Sequence, residues 1–189
     1  MGIKRVVDMV LAAALLLLVV PLVAVVVALQ RMRGRGAAIE RVWRLGRGGR
    51  RFRMWRLRFD PAGQAASGLG VVVLANLPQL LNVLAGHMSL VGPRPLAPEA
   101  LRAGGPVWRQ VLAVRPGMLS LAQVMLMVER GGATGAAPAP DPTAPLRILP
   151  VQLHLDLYYV ERWSPLLDLQ LIGLAVLLLA QPGRYAAVI

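Results

Sequence analysis

Residues 77–95 read LPQLLNVLAGHMSLVGPRP. Leu77, Leu80, Leu81 and Leu84 recur at the three- and four-residue spacing that shares one helix face, so the apolar stretch 71–84 reads as a buried helix. The same stretch ends on Gly92-Pro93-Arg94-Pro95, where two prolines fix the backbone around one arginine and stop a helix from continuing. A guanidinium on rigid backbone is pre-organised for an anion, which makes Arg94 a candidate phosphate ligand. Arg115-Pro116-Gly117 repeats the arrangement in shorter form and makes Arg115 a second candidate.

Toward the N-terminus, residues 60–70 are turn-rich, with Pro61, Gly63, Gly68 and Gly70. Gly68-Leu69-Gly70 lacks the third glycine and the acidic residue of a dinucleotide fingerprint. Before it, Arg31 to Arg58 holds eleven arginines against one acid, Glu40, with Trp43, Phe52, Trp55 and Phe59 interleaved. Gly46, Gly48 and Gly49 precede a loosely alternating basic and apolar run over 50–59, which reads as a glycine turn followed by a short strand or an interfacial segment. Arg56 and Arg58 in this run are further phosphate-ligand candidates. Aromatics among arginines also suit stacked bases, so a membrane-associated nucleic-acid binder is a rival reading. Arginine and tryptophan beside a bilayer are equally the mark of a headgroup belt, and the neighbouring segment favours that partner, membrane lipid, over nucleic acid.

That segment runs from Met9 to Leu29, apolar throughout and interrupted by Pro21. At roughly 1.5 Å per residue it would reach about 31 Å, enough to cross the hydrocarbon core. It is long for a signal peptide, and arginines rather than a small-residue cleavage site follow it. A plain span would put one basic flank on each side of the membrane, Lys4 and Arg5 before it and Arg31, Arg33 and Arg35 after it. Positive charge favours the cytoplasmic side for both, so a helix that enters, bends at Pro21 and returns to the same face fits better. Lys4, Arg5, Asp8 and Pro21 are therefore the expected anchoring residues. Asp8 would lie at the interface, paired with Arg5 or a later arginine.

The chain of 189 residues is 57% hydrophobic yet carries a formal net charge of +12. Together these suit a protein that touches both hydrocarbon and an anion. Lys4 is the only lysine, cysteine is absent, and His87 and His154 are the only histidines. Disulfides and thiolate metal sites are thereby excluded, and with two histidines no histidine-based metal cluster is expected. Residues 131–145, rich in Gly, Ala and Pro, read as a flexible loop. Residues 151–180 read as a core or interface-lying helix. The expected architecture is mostly α with minor β: residues 1–35 a re-entrant membrane helix with basic flanks, and residues 36–189 a small interface-associated helical domain on the cytosolic face.

Read as a whole, residues 77–95 closely resemble the core signature of the bacterial sugar transferase family, the monotopic phosphoglycosyl transferases. Other parts fall in the family's order. Lys4-Arg5 with Asp8 resembles its opening motif; Arg44-Leu45-Gly46, Gly49, Phe52 and Arg56-Leu57-Arg58 its basic strand region. Arg115-Pro116-Gly117 with Leu121-Ala122-Gln123-Val124 resembles the next block. Asp156 to Tyr159, Glu161, Trp163-Ser164 and Leu167-Asp168 resemble the C-terminal motif. The resemblance implies transfer of a sugar-1-phosphate from a nucleotide-diphosphate sugar to polyprenyl phosphate at the cytoplasmic face of the bacterial cytoplasmic membrane, with Mg2+. In the family an Asp-Glu pair stands directly before Leu-Pro-Gln-Leu. The Asp attacks phosphorus and the Glu helps to hold the metal.

Here that pair is Ala75 and Asn76. Alanine has no nucleophile, and an amide lacks the charge expected of a magnesium ligand. The acidic residue usual before Met88 is His87, and the connection ahead of the pair is shorter than the family's. Asp156 is the best remaining carboxylate for covalent attack, against the alternative of a structural ion pair with an arginine. The expectation is a catalytically degenerate member for cell-envelope polysaccharide or glycoconjugate synthesis. It would bind polyprenyl phosphate or nucleotide sugar, or support an active family member as a hetero- or homo-oligomer. An active transferase with a relocated carboxylate is the alternative.

Overall fold

The computed structural model describes residues 2–32, 39–58, 74–99, 107–129 and 150–180. The expected loop at 131–145, the turn-rich 60–70 stretch, Arg33 and Arg35 lie outside the described residues.

Helix α1 (Gly2–Met32) contains Pro21 and remains one helix on both sides of it. It is long and apolar enough to cross a membrane. Its N-terminal turns belong to the protein: Asp8 and Ala12 are buried, and the helix lies against the segment around residues 79–91. Beyond them Leu17, Leu18, Val20, Leu22, Val25 and Leu29 are exposed. A helix docked at one end, with bare apolar side chains along the rest, is suited to hydrocarbon rather than to water.

Strands β1 (Ile39–Leu45) and β2 (Arg51–Leu57) form an antiparallel hairpin, with Arg44 opposite Phe52 and Arg41 opposite Trp55. Its turn, Arg47–Gly49, needs glycine because Gly48 and Gly49 have φ of 68° and 75°. Phe52 and Met54 point inward while Arg51 and Arg53 are exposed, the period-two alternation of a strand with one wet face. On that wet face Arg41 lies 3.9 Å from the Trp55 ring centroid and Arg53 lies 5.0 Å from that of Trp43. These are cross-strand cation–π pairs.

The helix expected over 71–84 is interrupted. Residues 74–76 make one helical turn, Leu77 and Pro78 a bend, and α2 spans Gln79–Leu84. Pro78 offers no N–H to continue the ladder. Leu77 and Leu80 are buried as expected, but Leu81 is 43% exposed, because the inward face of α2 is Leu80, Asn82 and Val83. Asn82 works as a strand substitute: its Oδ1 accepts from Trp55 N at 2.9 Å and its Nδ2 donates to Arg53 O at 2.8 Å. It satisfies two main-chain groups of β2 and fixes α2 to the hairpin.

Strands β3 (Ser89–Val91) and β4 (Gly117–Leu119) pair in parallel. The two proline-flanked arginine segments thus lie back to back, with Gly117 N donating to Pro93 O at 2.8 Å. A Cβ added at Gly117 would sit 2.1 Å from Gly92 N, and one at Gly92 would sit 2.7 Å from Arg115 O. Only glycine permits this approach.

Helices α3 (Val107–Val111) and α4 (Leu121–Glu129) flank β4. The C-terminal segment is two helices, α5 (Pro150–Arg162) and α6 (Pro165–Ala180). Ser164 separates them by capping α6: its Oγ accepts from Leu167 N at 3.1 Å, and Pro165 occupies the first helical position. The main core joins Ala12, Phe52, Met54, Leu80, Val83, Met88, Val124, Tyr159 and Leu178; a smaller one joins Leu45, Leu96, Trp108, Val111 and Leu112. Among the described residues the architecture is mostly helical with two small sheets, as expected.

Candidate functional site

The base of α1 is fastened by polar side chains. Lys4 Nζ pairs with Asp168 and donates to Tyr159 OH at 3.3 Å. Asp168 also accepts from Tyr159 OH at 2.6 Å and from Trp163 Nε1 at 3.0 Å. Burial, and then the Asp168 carboxylate, push the Tyr159 phenol well above its ordinary range, so it stays a proton donor. Arg5 donates to the carbonyls of Val83 at 2.7 Å and Leu84 at 3.0 Å. A cation thereby meets the C-terminal end of α2, where unsatisfied carbonyls collect negative charge. Asp8 corrects an expectation: rather than pairing with an arginine at the interface, it is 6% exposed. It accepts from Ser89 Oγ at 2.6 Å and from Leu90 N at 3.3 Å. Packing of α1 on β3 brings it there, and the two donors from β3 satisfy the carboxylate.

Beside this base is a cavity of about 110 Å³, whose lining includes Lys4, Arg5, Arg47, Arg115, Tyr159 and Trp163. Arg115 Nε donates to Gly86 O at 2.9 Å and Arg47 Nε to Ala113 O at 3.1 Å.

Arg94 belongs to a different cluster. Its main-chain N donates to Asp156 Oδ1 at 3.3 Å, and Arg44 and Arg56 lie near enough for their charges to interact with one another's. Arg56 Nε is 3.7 Å from Glu40 Oε1. Arg44 is only 8% exposed. Burial holds the Arg44 and Arg94 guanidinium pKa values below their usual level; repulsion from neighbouring arginines adds to this, while Asp156 opposes it at Arg94. Burial also pushes the Asp156 carboxyl up to about 7, against the hydrogen bond and charge of Arg94. A buried carboxyl with a raised pKa beside cations is a candidate for holding a transferable proton. Arg58 is exposed just past β2. The four candidate arginines are therefore not one site: Arg94 and Arg56 share a cluster, Arg115 faces the cavity, and Arg58 is at the hairpin's end.

Ala75 is 7% exposed, so its methyl group is packed. Asn76 Oδ1 accepts from Gln79 Nε2 at 2.6 Å. His87 stacks on Phe52, with ring centroids 5.5 Å apart and planes 10° apart. Among the described residues there is no group of three or more His, Asp or Glu side chains placed to hold a metal ion.

The chain matches the family described as Bacterial sugar transferase over residues 1–59 and 64–181. It belongs to that family. It is 33% identical over 189 residues to a UDP-glucose:undecaprenyl-phosphate glucose-1-phosphate transferase of Caulobacter vibrioides, covering 89% of this chain and 66% of that one. It is 29% identical over 197 residues to the protein of the same name from Escherichia coli, covering 92% of this chain and 39% of that one. An exopolysaccharide production protein, PSS, of Rhizobium leguminosarum is 31% identical over 194 residues, and there the match covers 89% of this chain and 90% of the relative. The chain thus spans 66% of the Caulobacter relative, 39% of the Escherichia coli one and 90% of the Rhizobium one.

Sequence reading missed Arg44, Arg47 and Asn82 as site-building residues. Arg44 and Arg47 were hidden among many arginines; only tertiary placement shows Arg44 buried and the exposed Arg47 anchored on Ala113 O. Asn82 carried a signal: a buried amide on an otherwise apolar helix, three residues after Gln79, requires partners.

Proposed function

We propose that this chain is a membrane-attached, catalytically degenerate sugar transferase homologue that binds polyprenyl phosphate and nucleotide sugar on the cytoplasmic face. Its role is that of a phosphate-binding scaffold, or of a partner subunit to an active family member in cell-envelope polysaccharide synthesis. The membrane helix enters and leaves on that face, bending at Pro21 in the bilayer. The names of the Caulobacter and Escherichia coli relatives supply the substrate class.

The observation that carries the reading is the state of positions 75 and 76. A packed methyl group stands where the nucleophile belongs, and the adjacent amide oxygen accepts from Gln79. This donor set does not fit magnesium, which takes carboxylate and phosphate oxygens. Arg94, Arg56 and Arg44 keep the charge needed to hold a diphosphate.

The reading is tested by incubating the purified protein with magnesium, polyprenyl phosphate and a panel of radiolabelled nucleotide sugars. The expected result is binding without labelled lipid, with transfer gained in the double variant Ala75→Asp, Asn76→Glu. Labelled lipid from the wild-type chain, abolished by Asp156→Asn but not by Asn76→Ala, would refute it in favour of an active enzyme. That second reading is supported by the buried Asp156 carboxyl beside Arg94.

A further inference from the structure

The cavity at the base of α1 has a composition that the chemistry at positions 75 and 76 does not explain. Arg5, Arg47 and Arg115 are each held by main-chain carbonyls, those of Val83 and Leu84, Ala113 and Gly86. Among the described residues, none of the three forms an ion pair with a carboxylate; the ion pairs are Lys4 with Asp168 and Arg56 with Glu40. Carbonyl anchoring fixes the direction of a guanidinium without neutralising it, which leaves its remaining N–H groups and its charge for a ligand. The four cations around the cavity outnumber the two carboxylates there, Asp8 and Asp168. A phosphate monoester, carrying nearly two negative charges at neutral pH, balances the excess.

The position of the cavity narrows the ligand. Lys4 and Arg5 are in the first turns of α1, and the helix continues from them into its exposed apolar length. The remaining wall is Ser89, Val91, Val114, Val160 and the Tyr159 and Trp163 rings. A phosphate in this cavity would have its ester substituent at the foot of a hydrocarbon-facing helix. That surface suits an apolar chain.

We propose that this cavity is the seat of the lipid phosphate: Arg47, Arg115 and Arg5 hold the phosphate monoester of a polyprenyl phosphate, and its chain runs along the exposed face of α1. The inference rests on the lipid-phosphate half of the proposed function and assigns the nucleotide diphosphate to the separate Arg94 cluster.

The test uses the full chain in nanodiscs of neutral phosphatidylcholine, titrated separately with a short-chain polyprenyl phosphate and with a nucleotide sugar. Arg47→Gln and Arg115→Gln should each weaken polyprenyl phosphate binding by roughly tenfold or more, the scale of one lost charged hydrogen bond. Both should leave nucleotide-sugar binding unchanged, and Arg94→Gln should do the reverse. Arg47 is exposed on the hairpin turn, so its variant remains informative even where Arg115→Gln disturbs folding through Gly86. Wild-type lipid affinity in Arg47→Gln and in every folded Arg115→Gln preparation overturns the assignment while leaving the proposed function standing. Equal binding of inorganic phosphate, or of phosphatidylglycerol, overturns it in favour of a general anion site. Failure of the wild-type chain to bind either substrate removes the proposed function and this inference together.

Discussion

Asp156→Asn separates the cost of a buried charge from the value of a hydrogen bond. The Asp156 carboxyl is 3% exposed and is raised from 3.8 to about 7. The folded state therefore binds its proton more tightly than the unfolded chain does. That stability is fully present below about pH 4 and is lost as pH rises through 7, the direction required for a raised carboxyl. At 1.36 kcal/mol per pKa unit the full swing is about 4 kcal/mol, of which about 2–3 kcal/mol falls between pH 5 and pH 8. Asparagine keeps the oxygen that accepts from Arg94 N and removes the titration. Thermal unfolding of both proteins in detergent should show a stability gain for the variant at pH 8 that shrinks toward pH 5. The gain should change by on the order of 5–10 °C across that window. Melting temperatures that run parallel for the two proteins over pH 5–8 would show that Asp156 is not a buried, proton-linked group.

Asp168→Asn should cost about 2–4 kcal/mol, because Lys4 loses its partner in a mostly enclosed site; loosening of the α1 base is read by protease susceptibility and by the melting temperature. Asn82→Leu should cost a similar amount, about 2–4 kcal/mol, by leaving Trp55 N and Arg53 O without partners, and hydrogen exchange should rise selectively at the Trp55 amide. Gly117→Ala should fail to give a folded monodisperse protein, since the added methyl group meets the main-chain N, Cα and O of Gly92, whereas Ala113→Gly, exposed just past α3, should fold normally by the same chromatographic assay.

Much of this was legible in the sequence because the informative residues have few alternative uses. Pro93 through Pro95 stop a helix, and an apolar run of helical-span length gives a long apolar helix, whereas sequence reading missed the bend at Pro78 inside the apolar stretch 71–84. The alternation over 50–59 left a short strand or an interfacial segment open, and the structure makes it β2. What stayed hidden depends on distance between segments far apart in the chain. Arg94 and Arg115 carry the same local signature, yet one meets Asp156 and the other meets Gly86. Asp8 has the look of an interfacial acid until α1 is packed on β3, where Ser89 supplies its partner. The division of α5 from α6 was written at Ser164-Pro165, a helix-start signal masked by the apolar residues around it.

The contact of Gly92 with Gly117 has a consequence for how such a chain can change over time. Every replacement of either glycine adds at least a methyl group, and there is no room for one. Drift is thereby closed off at the seam between the two arginine segments but remains open at positions 75 and 76, where side chains rather than main chains meet. Side chains at those two positions can be exchanged one at a time while the chain inherits, unaltered, the distance between the two arginine segments.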